Sequence, residues 1–244
     1  MNIVVPMAGY GSRFSQAGYK YPKPLIPVLG KTMIELVVEN LKPCSPHRFI
    51  FICLAEHLCN FPMRELLEKI APGCLIIEVS HVTQGAACTV LLAKELINND
   101  EPLMIANCDQ YVDVDINQYL AEIKSADGLI MTMKAFDNKW SFIEIDMHGQ
   151  IIRVVEKEAV SDEATVGIYN YSKGSVFVTA AEKMIDKGLR VNNEFYVAPV
   201  YNEIILDGKT VTFFNVGALG AGVYGIGTPE DLNAFLLIKQ QKTS

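Results

Sequence analysis

The sequence predicts an α/β fold with a mixed, mainly parallel sheet flanked by helices. In the first half of the chain, short apolar runs alternate with helical patterns, which is typical of parallel strands joined by helices. Most of these runs are apolar throughout, as strands covered on both faces are. In the second half, several strand-like runs follow one another directly, which predicts a small antiparallel subdomain built onto the same sheet.

The first half contains four predicted strands, at residues 2–6, 48–54, 74–79 and 102–106. Thr32 and Glu35 have the spacing of a capping box, and apolar residues at helical spacing follow them, which predicts a helix over residues 32–41. Asp115 is a favourable N-cap for a helix over residues 116–124. The other predicted helices of this half lie at residues 63–70 and 85–97.

The predicted strands of the second half lie at residues 128–133, 142–146, 151–155, 166–171, 209–215 and 222–226. His148-Gly149 predicts the turn of a hairpin between the second and third of them. Helices are predicted at residues 173–187 and 200–206, and a last helix begins after Thr228. Because no linker separates the halves 1–125 and 126–244, we expect residues 1–244 to form a single domain.

The composition narrows the classes of partner. A hydrophobic fraction of 50% in 244 residues is enough for a sizeable core. The net charge of −7 provides no basic surface for nucleic acid, so an anionic ligand needs a local cationic site. Arg13, Lys20 and Lys23 provide one near the N-terminus. Six scattered cysteines without C-x-x-C spacing indicate free thiols in a reducing compartment.

The expected location is the cytoplasm. The first residues enter an apolar strand without the charged and apolar regions of a signal peptide. No apolar run approaches the length of a membrane span, so we expect no membrane association. The oligomeric state stays open, and a homo-oligomer is one of the expectations.

A glycine-rich loop follows the first strand. Ala8-Gly9-Tyr10-Gly11-Ser12-Arg13 lets the backbone approach an anion closely, with consecutive N–H groups directed at it. Ten residues later, prolines 22, 24 and 27 stiffen the segment that presents Lys23. Position 14 is Phe and no G-K-[ST] follows, so the loop matches neither the dinucleotide fingerprint nor the P-loop.

The two motifs together, G-x-G-x-R and P-K-P-L-x-P-V, resemble the signature of the sugar-phosphate nucleotidylyltransferases. The resemblance implies a Rossmannoid fold similar to GT-A enzymes, with a nucleotide-binding half (1–125) and an acceptor-binding half (126–244). The implied reaction is NTP + sugar 1-phosphate → NDP-sugar + pyrophosphate, which supplies precursors of cell-surface polysaccharide. The implied catalytic residues are Arg13, for the leaving pyrophosphate, and Lys23, for the α-phosphate. The implied nucleotide-binding residues of the loop are Ala8, Gly9, Gly11 and Ser12.

Two further segments of the first half carry predicted site residues. Gln84 and Gly85 precede a helix and match the part of the family that cradles the nucleobase, although a small-residue helix start packed on the sheet explains them equally. Asp109 follows a buried strand, where α/β sheets bind ligands, and matches the family's first metal-binding aspartate. Mg²⁺ prefers one or two carboxylates with phosphate oxygens, so Mg²⁺ is the expected cofactor. The alternative role of Asp109 is an ordinary turn or helix cap.

The predicted acceptor-binding residues lie in the second half. The resemblance implies that Glu156 accepts hydrogen bonds from the acceptor, that Lys157 holds its phosphate, and that Gly167 leaves room for it. Glu194 lies in a polar turn that is a candidate acceptor loop, with capping of the next helix as the alternative. A solvated strand end with mixed charges is the alternative for residues 156 and 157.

The chain departs from the family at one point. Longer members often have a second metal-binding aspartate just before G-T, where this chain has Tyr224-Gly225-Ile226. The metal is therefore held either by Asp109 and the phosphates alone or by another acid, for which Asp231 and Glu194 are candidates. Three other functions stay open: a cytidylyltransferase for a non-sugar phosphate such as phosphocholine or a phospho-amino acid, a GT-A glycosyltransferase, and a non-catalytic nucleotide-binding subunit.

Overall fold

A computed structural model of the chain describes residues 1–241. The strands are β1 (Asn2–Met7), β2 (Pro27–Val28), β3 (Lys31–Thr32), β4 (Arg48–Leu54), β5 (Leu75–Val79), β6 (Leu103–Ala106), β7 (Gln110–Val112), β8 (Gly128–Lys134), β9 (Ser141–Ile145), β10 (Ile151–Glu156), β11 (Glu163–Tyr171), β12 (Val211–Leu219) and β13 (Gly222–Gly225). The helices are α1 (Ser12–Gln16), α2 (Met33–Leu41), α3 (Ala55–Asn60), α4 (Met63–Ile70), α5 (Ala86–Leu91), α6 (Lys94–Ile97), α7 (Ile116–Ala121), α8 (Gly174–Asp186), α9 (Val200–Leu206) and α10 (Pro229–Gln241), with a 3₁₀ turn at Lys23–Leu25.

One large sheet runs through the molecule in the order β5-β4-β1-β6-β11-β8-β12-β13-β7. The pairs β4–β5, β1–β4, β1–β6, β8–β12 and β12–β13 are parallel, whereas β11 is antiparallel to both β6 and β8. The hairpin β9–β10 joins this sheet through a contact between Phe142 and Ala164. The predicted mixed, mainly parallel sheet with a small antiparallel addition is therefore confirmed.

Helices cover both faces of the sheet. Alternate residues of β1 enter two separate hydrophobic clusters, Ile3 and Val5 on one face and Val4 on the other. The first cluster includes α2, α4, α7 and α10, and the second includes α5, α8 and α9. Because β1 is buried on both faces, its sequence is apolar at consecutive positions rather than at alternate ones. Both clusters contain residues from both halves of the chain.

Most predicted elements are confirmed, and one is wrong. The strand Arg48–Leu54 has the predicted bounds, and the capping box of Thr32 and Glu35 begins α2. Residues 85–97, expected as one helix, form α5 and α6. The amides of Leu92 and Ala93 bond to carbonyls three residues back, and this tight turn ends α5. The short elements α1, α3, β2, β3 and β7 were not predicted, since they have too few residues to show a period.

Candidate active site

The site lies where several strands of the sheet end. The glycine-rich loop follows β1, and Asn107–Asp109 follows β6, its parallel neighbour, so both emerge at the same edge of the sheet. A cavity of about 500 Å³ opens there. Residues of both halves line it: Arg13, Ala86, Asn107, Asp109 and Gln110 from the first, and Lys139, Trp140, Ser141, Glu156, Thr165, Gly167, Tyr169, Tyr196, Val197, Ala198, Gly225, Gly227, Thr228, Glu230 and Asp231 from the second.

The glycine-rich loop presents unused hydrogen-bond donors. Among the described residues, the backbone N–H groups of residues 9–13 donate to no main-chain carbonyl. Gly9 has open space where a side chain would stand, and Gly11 has the left-handed φ of 61° that starts α1. Ala8 is buried, whereas Ser12 and Arg13 are exposed. The loop therefore combines free N–H groups with the Arg13 guanidinium, as expected of an anion-binding loop.

Lys23 and Asp109 meet beside this loop. The Lys23 ammonium donates to the Asp109 carboxylate over 2.7 Å, and the two side chains are 24% and 22% exposed. Burial lowers the pKa of Lys23, but the charge of Asp109 and the hydrogen bond to it, together with Cys108, outweigh burial and raise the pKa, so the ammonium stays charged. A Cβ on Gly11 would lie 3.1 Å from the Lys23 Cβ, so glycine lets the loop pack against this lysine.

A second glycine segment supports Asp109. The Ile226 amide donates to the Asp109 carbonyl oxygen over 2.9 Å. A Cβ on Gly227 would lie 2.4 Å from the same carboxylate oxygen that Lys23 contacts. The missing side chain of Gly227 therefore provides the space in which the Asp109 carboxylate faces the cavity.

Glu156 lines the cavity, whereas Lys157 does not line it itself and contacts Tyr196, which does. The Ser141 hydroxyl donates to the Glu156 carboxylate, and burial raises the pKa of Glu156. Lys157 has a left-handed φ of 59°, which turns the chain after β10. Its ammonium donates to the Tyr196 hydroxyl over 2.6 Å and lies 4.7 Å from the centre of that ring. The hydrogen bond to Tyr196 raises the pKa of Lys157, so the ammonium is charged at neutral pH.

Gly167 makes room for protein side chains. A Cβ on this residue would lie 2.3 Å from the Asn107 Nδ2 and 2.6 Å from the Gln110 Oε1. Gln110 is 8% exposed, and its Oε1 has no hydrogen-bond partner among the described residues. A side chain at position 167 would therefore collide with the amide side chains of Asn107 and Gln110.

The segment after α8 meets the helix start at Gly85. A Cβ on Gly85 would lie 2.5 Å from both the N and the O of Phe195, whose amide donates to the Gln84 carbonyl over 2.9 Å. The backbone of this segment thus occupies one side of Gly85, while the Gln84 side chain is exposed. Glu194 is also exposed and does not line the cavity, whereas its neighbour Tyr196 does. Nucleotide binding by Gln84 and Gly85 and acceptor binding by Glu194 stay predictions.

Sequence reasoning missed several residues that the structure brings to the cavity. Tyr196 holds Lys157, Ser141 holds Glu156, and Gln110 presents its unpartnered oxygen. Gln110 directly follows Asp109, so its position after β6 was the available signal. The partners Ser141 and Tyr196 had none, because their contacts lie 15 and 39 residues away in the chain.

The chain is similar to proteins of known family. A family model described as nucleotidyl transferase matches residues 3–209. The chain belongs to the nucleotidyl transferase family. This nucleotidyl transferase is similar to a nucleoside-diphosphate-sugar pyrophosphorylase structure from Vibrio cholerae RC9, with a TM-score of 0.83, 25% identity, and coverage of 96% of this chain and 99% of the other. The resemblance drawn from residues 8–28 is therefore confirmed, as is the fold.

Curated relatives of this nucleotidyl transferase carry related names. The catalytic subunit beta of mannose-1-phosphate guanylyltransferase from Dictyostelium discoideum is 27% identical, over 81% of this chain and 55% of its own length. The bifunctional protein GlmU from Cupriavidus metallidurans is 27% identical, over 90% of this chain and 48% of its own length. The chain thus spans about half the length of the curated relatives it matches.

The nucleotidyl transferase has donors that suit Mg²⁺. Asp109 faces the cavity in a space that a side chain on Gly227 would fill, and Asp231 lines the same cavity. Residues 1–241 contain no group of three or more His, Cys, Asp or Glu side chains able to hold a metal ion. One or two carboxylates completed by nucleotide phosphates are the usual set for this cation, so the residues fit. No helix within the described residues is long and apolar enough to cross a membrane.

Proposed function

We propose that this protein transfers a nucleoside monophosphate from an NTP to a sugar 1-phosphate, forming an NDP-sugar and pyrophosphate. The observation that carries the proposal is the meeting of Lys23 and Asp109, 86 residues apart in the chain. Lys23 packs against Gly11 of the glycine-rich loop, and Asp109, its 2.7 Å partner, lines the cavity that Glu156 also lines. A triphosphate on one side and a phosphorylated acceptor on the other would meet at this point.

For this reaction the protein mainly needs to position the triphosphate and the acceptor phosphate and to neutralise the negative charge that develops during the transfer. An oxygen of the acceptor phosphate attacks the α-phosphorus, a new P–O bond forms, and the bond to the bridging oxygen breaks, releasing pyrophosphate. In this proposal the loop N–H groups bind the triphosphate and Arg13 stabilises the leaving pyrophosphate. Lys23 stabilises the charge that develops on the α-phosphate.

Asp109 is the proposed ligand for Mg²⁺. When bound, the cation supplies charge neutralisation at the nucleotide phosphates. In the proposed reaction the Lys23 ammonium leaves the Asp109 carboxylate for the α-phosphate, which frees that carboxylate for the cation. While Lys23 contacts Asp109, its raised pKa keeps it protonated, so the ammonium is charged when the triphosphate binds.

Glu156 and Lys157 are the proposed acceptor ligands. The Glu156 carboxylate lines the cavity and is oriented by Ser141, so it can accept hydrogen bonds from hydroxyl groups of a sugar. Lys157 is held by Tyr196 close to the same wall and is the proposed partner of the acceptor phosphate. An NDP-sugar made here would serve as a precursor of cell-surface polysaccharide. The free cysteines support a cytoplasmic reaction.

The experiment that tests this function combines binding and turnover. A thermal-shift panel of CTP, UTP, dTTP, GTP and ATP, each with Mg²⁺, identifies the base, since a ligand at 100 times its Kd stabilises by about 2.7 kcal/mol. The responding triphosphate is then assayed for pyrophosphate release with sugar 1-phosphates, phosphocholine and phosphorylated amino acids. Release with a sugar 1-phosphate supports the proposal, and release only with a non-sugar phosphate redirects it. Failure of every triphosphate to bind refutes it.

Lys23→Ala tests the central assignment. We expect kcat to fall about 100-fold or more, comparable to the loss of one oxyanion donor, because the ammonium stabilises charge that develops only in the transition state. Lys31→Ala is the matched control, since Lys31 is exposed and paired with Glu39 away from the cavity. A Lys23→Ala enzyme with the kcat of the control would remove Lys23 from the mechanism.

A further inference from the structure

Lys139 brings a positive charge to a cavity that is rich in acids. Of the described residues that line the cavity, Arg13 and Lys139 are the cations, and Lys139 is the one from the second half of the chain. The lining acids are more numerous: Asp109, Glu156, Glu230 and Asp231. Because like charges repel, an acceptor phosphate needs a cation beside these carboxylates. Lys139 is in the half of the chain where that cation is needed.

The position of Lys139 is fixed by the β9–β10 hairpin. Lys139 lies just before β9, and the carbonyl of the next residue, Trp140, accepts from the Lys157 amide over 3.0 Å. One position further on, Ser141 pairs with Glu156 in the register of the two strands. The chain around Lys139 therefore runs beside the end of β10, which carries Glu156 and Lys157, the two proposed acceptor ligands.

The Lys139 ammonium is held only loosely by the protein. It lies 4.0 Å from the Asp137 carboxylate and 5.1 Å from the centre of the Trp140 ring, and it forms no hydrogen bond within residues 1–241. By contrast, the ammonium groups of Lys23 and Lys157 donate to protein partners over 2.7 Å and 2.6 Å. Exposed ion pairs and exposed contacts between a cation and a ring are weak, so an anionic ligand can draw Lys139 away from both neighbours.

We propose that Lys139 binds the phosphate of the acceptor together with Lys157, an inference that rests on the proposed function. A hydrogen bond from an ammonium to a phosphate oxygen is shorter and stronger than a contact of the same ammonium over a ring. Binding of the acceptor therefore moves the Lys139 ammonium from the Trp140 ring to the phosphate. Because this bond exists in the bound substrate as well as in the transition state, its loss raises the KM of the acceptor more than it lowers kcat.

The test is the kinetics of pyrophosphate release at saturating triphosphate, with the acceptor phosphate that supports turnover of the wild-type protein. We expect Lys139→Met to raise the KM of the acceptor about tenfold or more, as loss of a hydrogen bond to a charged group does, and to change the KM of the triphosphate less than about twofold. Lys173→Met is the matched control, because Lys173 is 50% exposed against 48% for Lys139, pairs with Asp100 and does not line the cavity. The control should keep the wild-type KM.

Two further measurements separate phosphate binding from a structural role. Lys139→Arg keeps the charge and should recover most of the acceptor KM that Lys139→Met loses. The difference in KM between Lys139→Met and the wild type should shrink at high salt, because the charge of an exposed lysine is screened. Circular dichroism verifies that each variant is folded.

Trp140 reports the movement directly. It is the single tryptophan of the chain and lines the cavity, and the Lys139 ammonium lies over its ring. The protein is loaded with the α,β-methylene analogue of the responding triphosphate, in which carbon replaces the bridging oxygen of the bond that breaks, so that no transfer occurs. Titration with the acceptor phosphate should then change the tryptophan emission of the wild type in a saturable way, because the ammonium leaves the indole ring.

The outcomes distinguish this inference from the proposed function. Turnover of the wild-type protein with a sugar 1-phosphate, together with equal acceptor KM values in Lys139→Met and Lys173→Met, overturns the role of Lys139 and leaves the proposed function standing. Absence of turnover with every acceptor phosphate overturns both. A raised acceptor KM in Lys139→Met that Lys139→Arg restores supports phosphate binding by Lys139.

Discussion

The substitution Gly227→Ala tests whether the exact position of the Asp109 carboxylate matters. The new methyl group would start 2.4 Å from the Asp109 Oδ2 and 3.0 Å from its Cγ, and the backbone of Gly227 has no positive φ that would strain an alanine. Ordinary contact begins at 3.4 Å, so the carboxylate must move by about 1 Å. The same Oδ2 accepts the Lys23 ammonium at 2.7 Å, so this pair is displaced as well.

The expected result is a selective loss of activity. A displacement of about 1 Å in a group that positions reactants costs about 100-fold in rate, so we expect kcat/KM to fall by about this factor. The free energy of unfolding should fall by only about 1–2 kcal/mol, because a partly exposed carboxylate can move toward solvent. The assay is pyrophosphate release with the triphosphate that responds in the thermal-shift panel, together with urea unfolding of each variant.

Gly225→Ala is a control from the same segment. Its methyl group would lie 3.6 Å from the Asp231 carboxyl group, an ordinary van der Waals distance, and we expect a change in kcat/KM below about threefold. Equal activity of Gly227→Ala and Gly225→Ala would refute the reasoning, since the two differ in the collision with Asp109. A large loss of folding stability in Gly227→Ala, with activity per folded molecule unchanged, would refute it as well.

Two further predictions concern the contact of Gly85 with Phe195 and the buried carboxylate of Glu156. Gly85→Ala should lower the free energy of unfolding, measured in urea, by about 3 kcal/mol, because the new Cβ would lie 2.5 Å from the Phe195 backbone and the φ of residue 85 is +132°. Gly9→Ala is the control: no atom lies within 4 Å of its new Cβ, so its free energy of unfolding should not change. Glu156→Gln should raise the KM for the acceptor and stabilise the protein at pH 7; equal melting temperatures of variant and wild type at pH 7 would contradict this. Burial raises the pKa of Glu156 in the folded protein above its ordinary value of 4.5. The wild-type protein therefore loses stability as the pH rises above 4.5 and this carboxyl group ionises in its buried position. Below about pH 4 the carboxyl group is protonated in both the folded and the unfolded state, so the melting temperatures of the variant and the wild type should converge.

The local structure was predictable wherever one period ran over enough residues. The strand Arg48–Leu54 was found with its bounds because six apolar, mostly β-favouring residues follow Arg48 without interruption. The capping box of Thr32 and Glu35 predicted the start of α2 because the bonds that form it are local. The break between α5 and α6 was not predictable, because residues 85–97 keep a helical composition through the turn at Ala93.

The site was predictable in its parts and not in its connections. Lys23 and Asp109 were each assigned from motifs, but the hydrogen bond between them follows from β1 and β6 being neighbours in the sheet. Gly167 was recognised as a position without room for a side chain. The atoms that fill this room belong to Asn107 and Gln110, on the strand end that β11 lies against.

The sequence by itself determined the alternation of strands and helices, the glycine-rich loop and the two cations near it in the chain, because these depend on neighbours within a few residues. Only the tertiary structure decided which atoms surround each of them. Tyr196 holds Lys157, and Asp231 reaches the space in front of Gly225, because the order of strands brings separate loops to one edge of the sheet. No local period encodes that order, since it minimises the free energy of the whole core rather than that of any one segment.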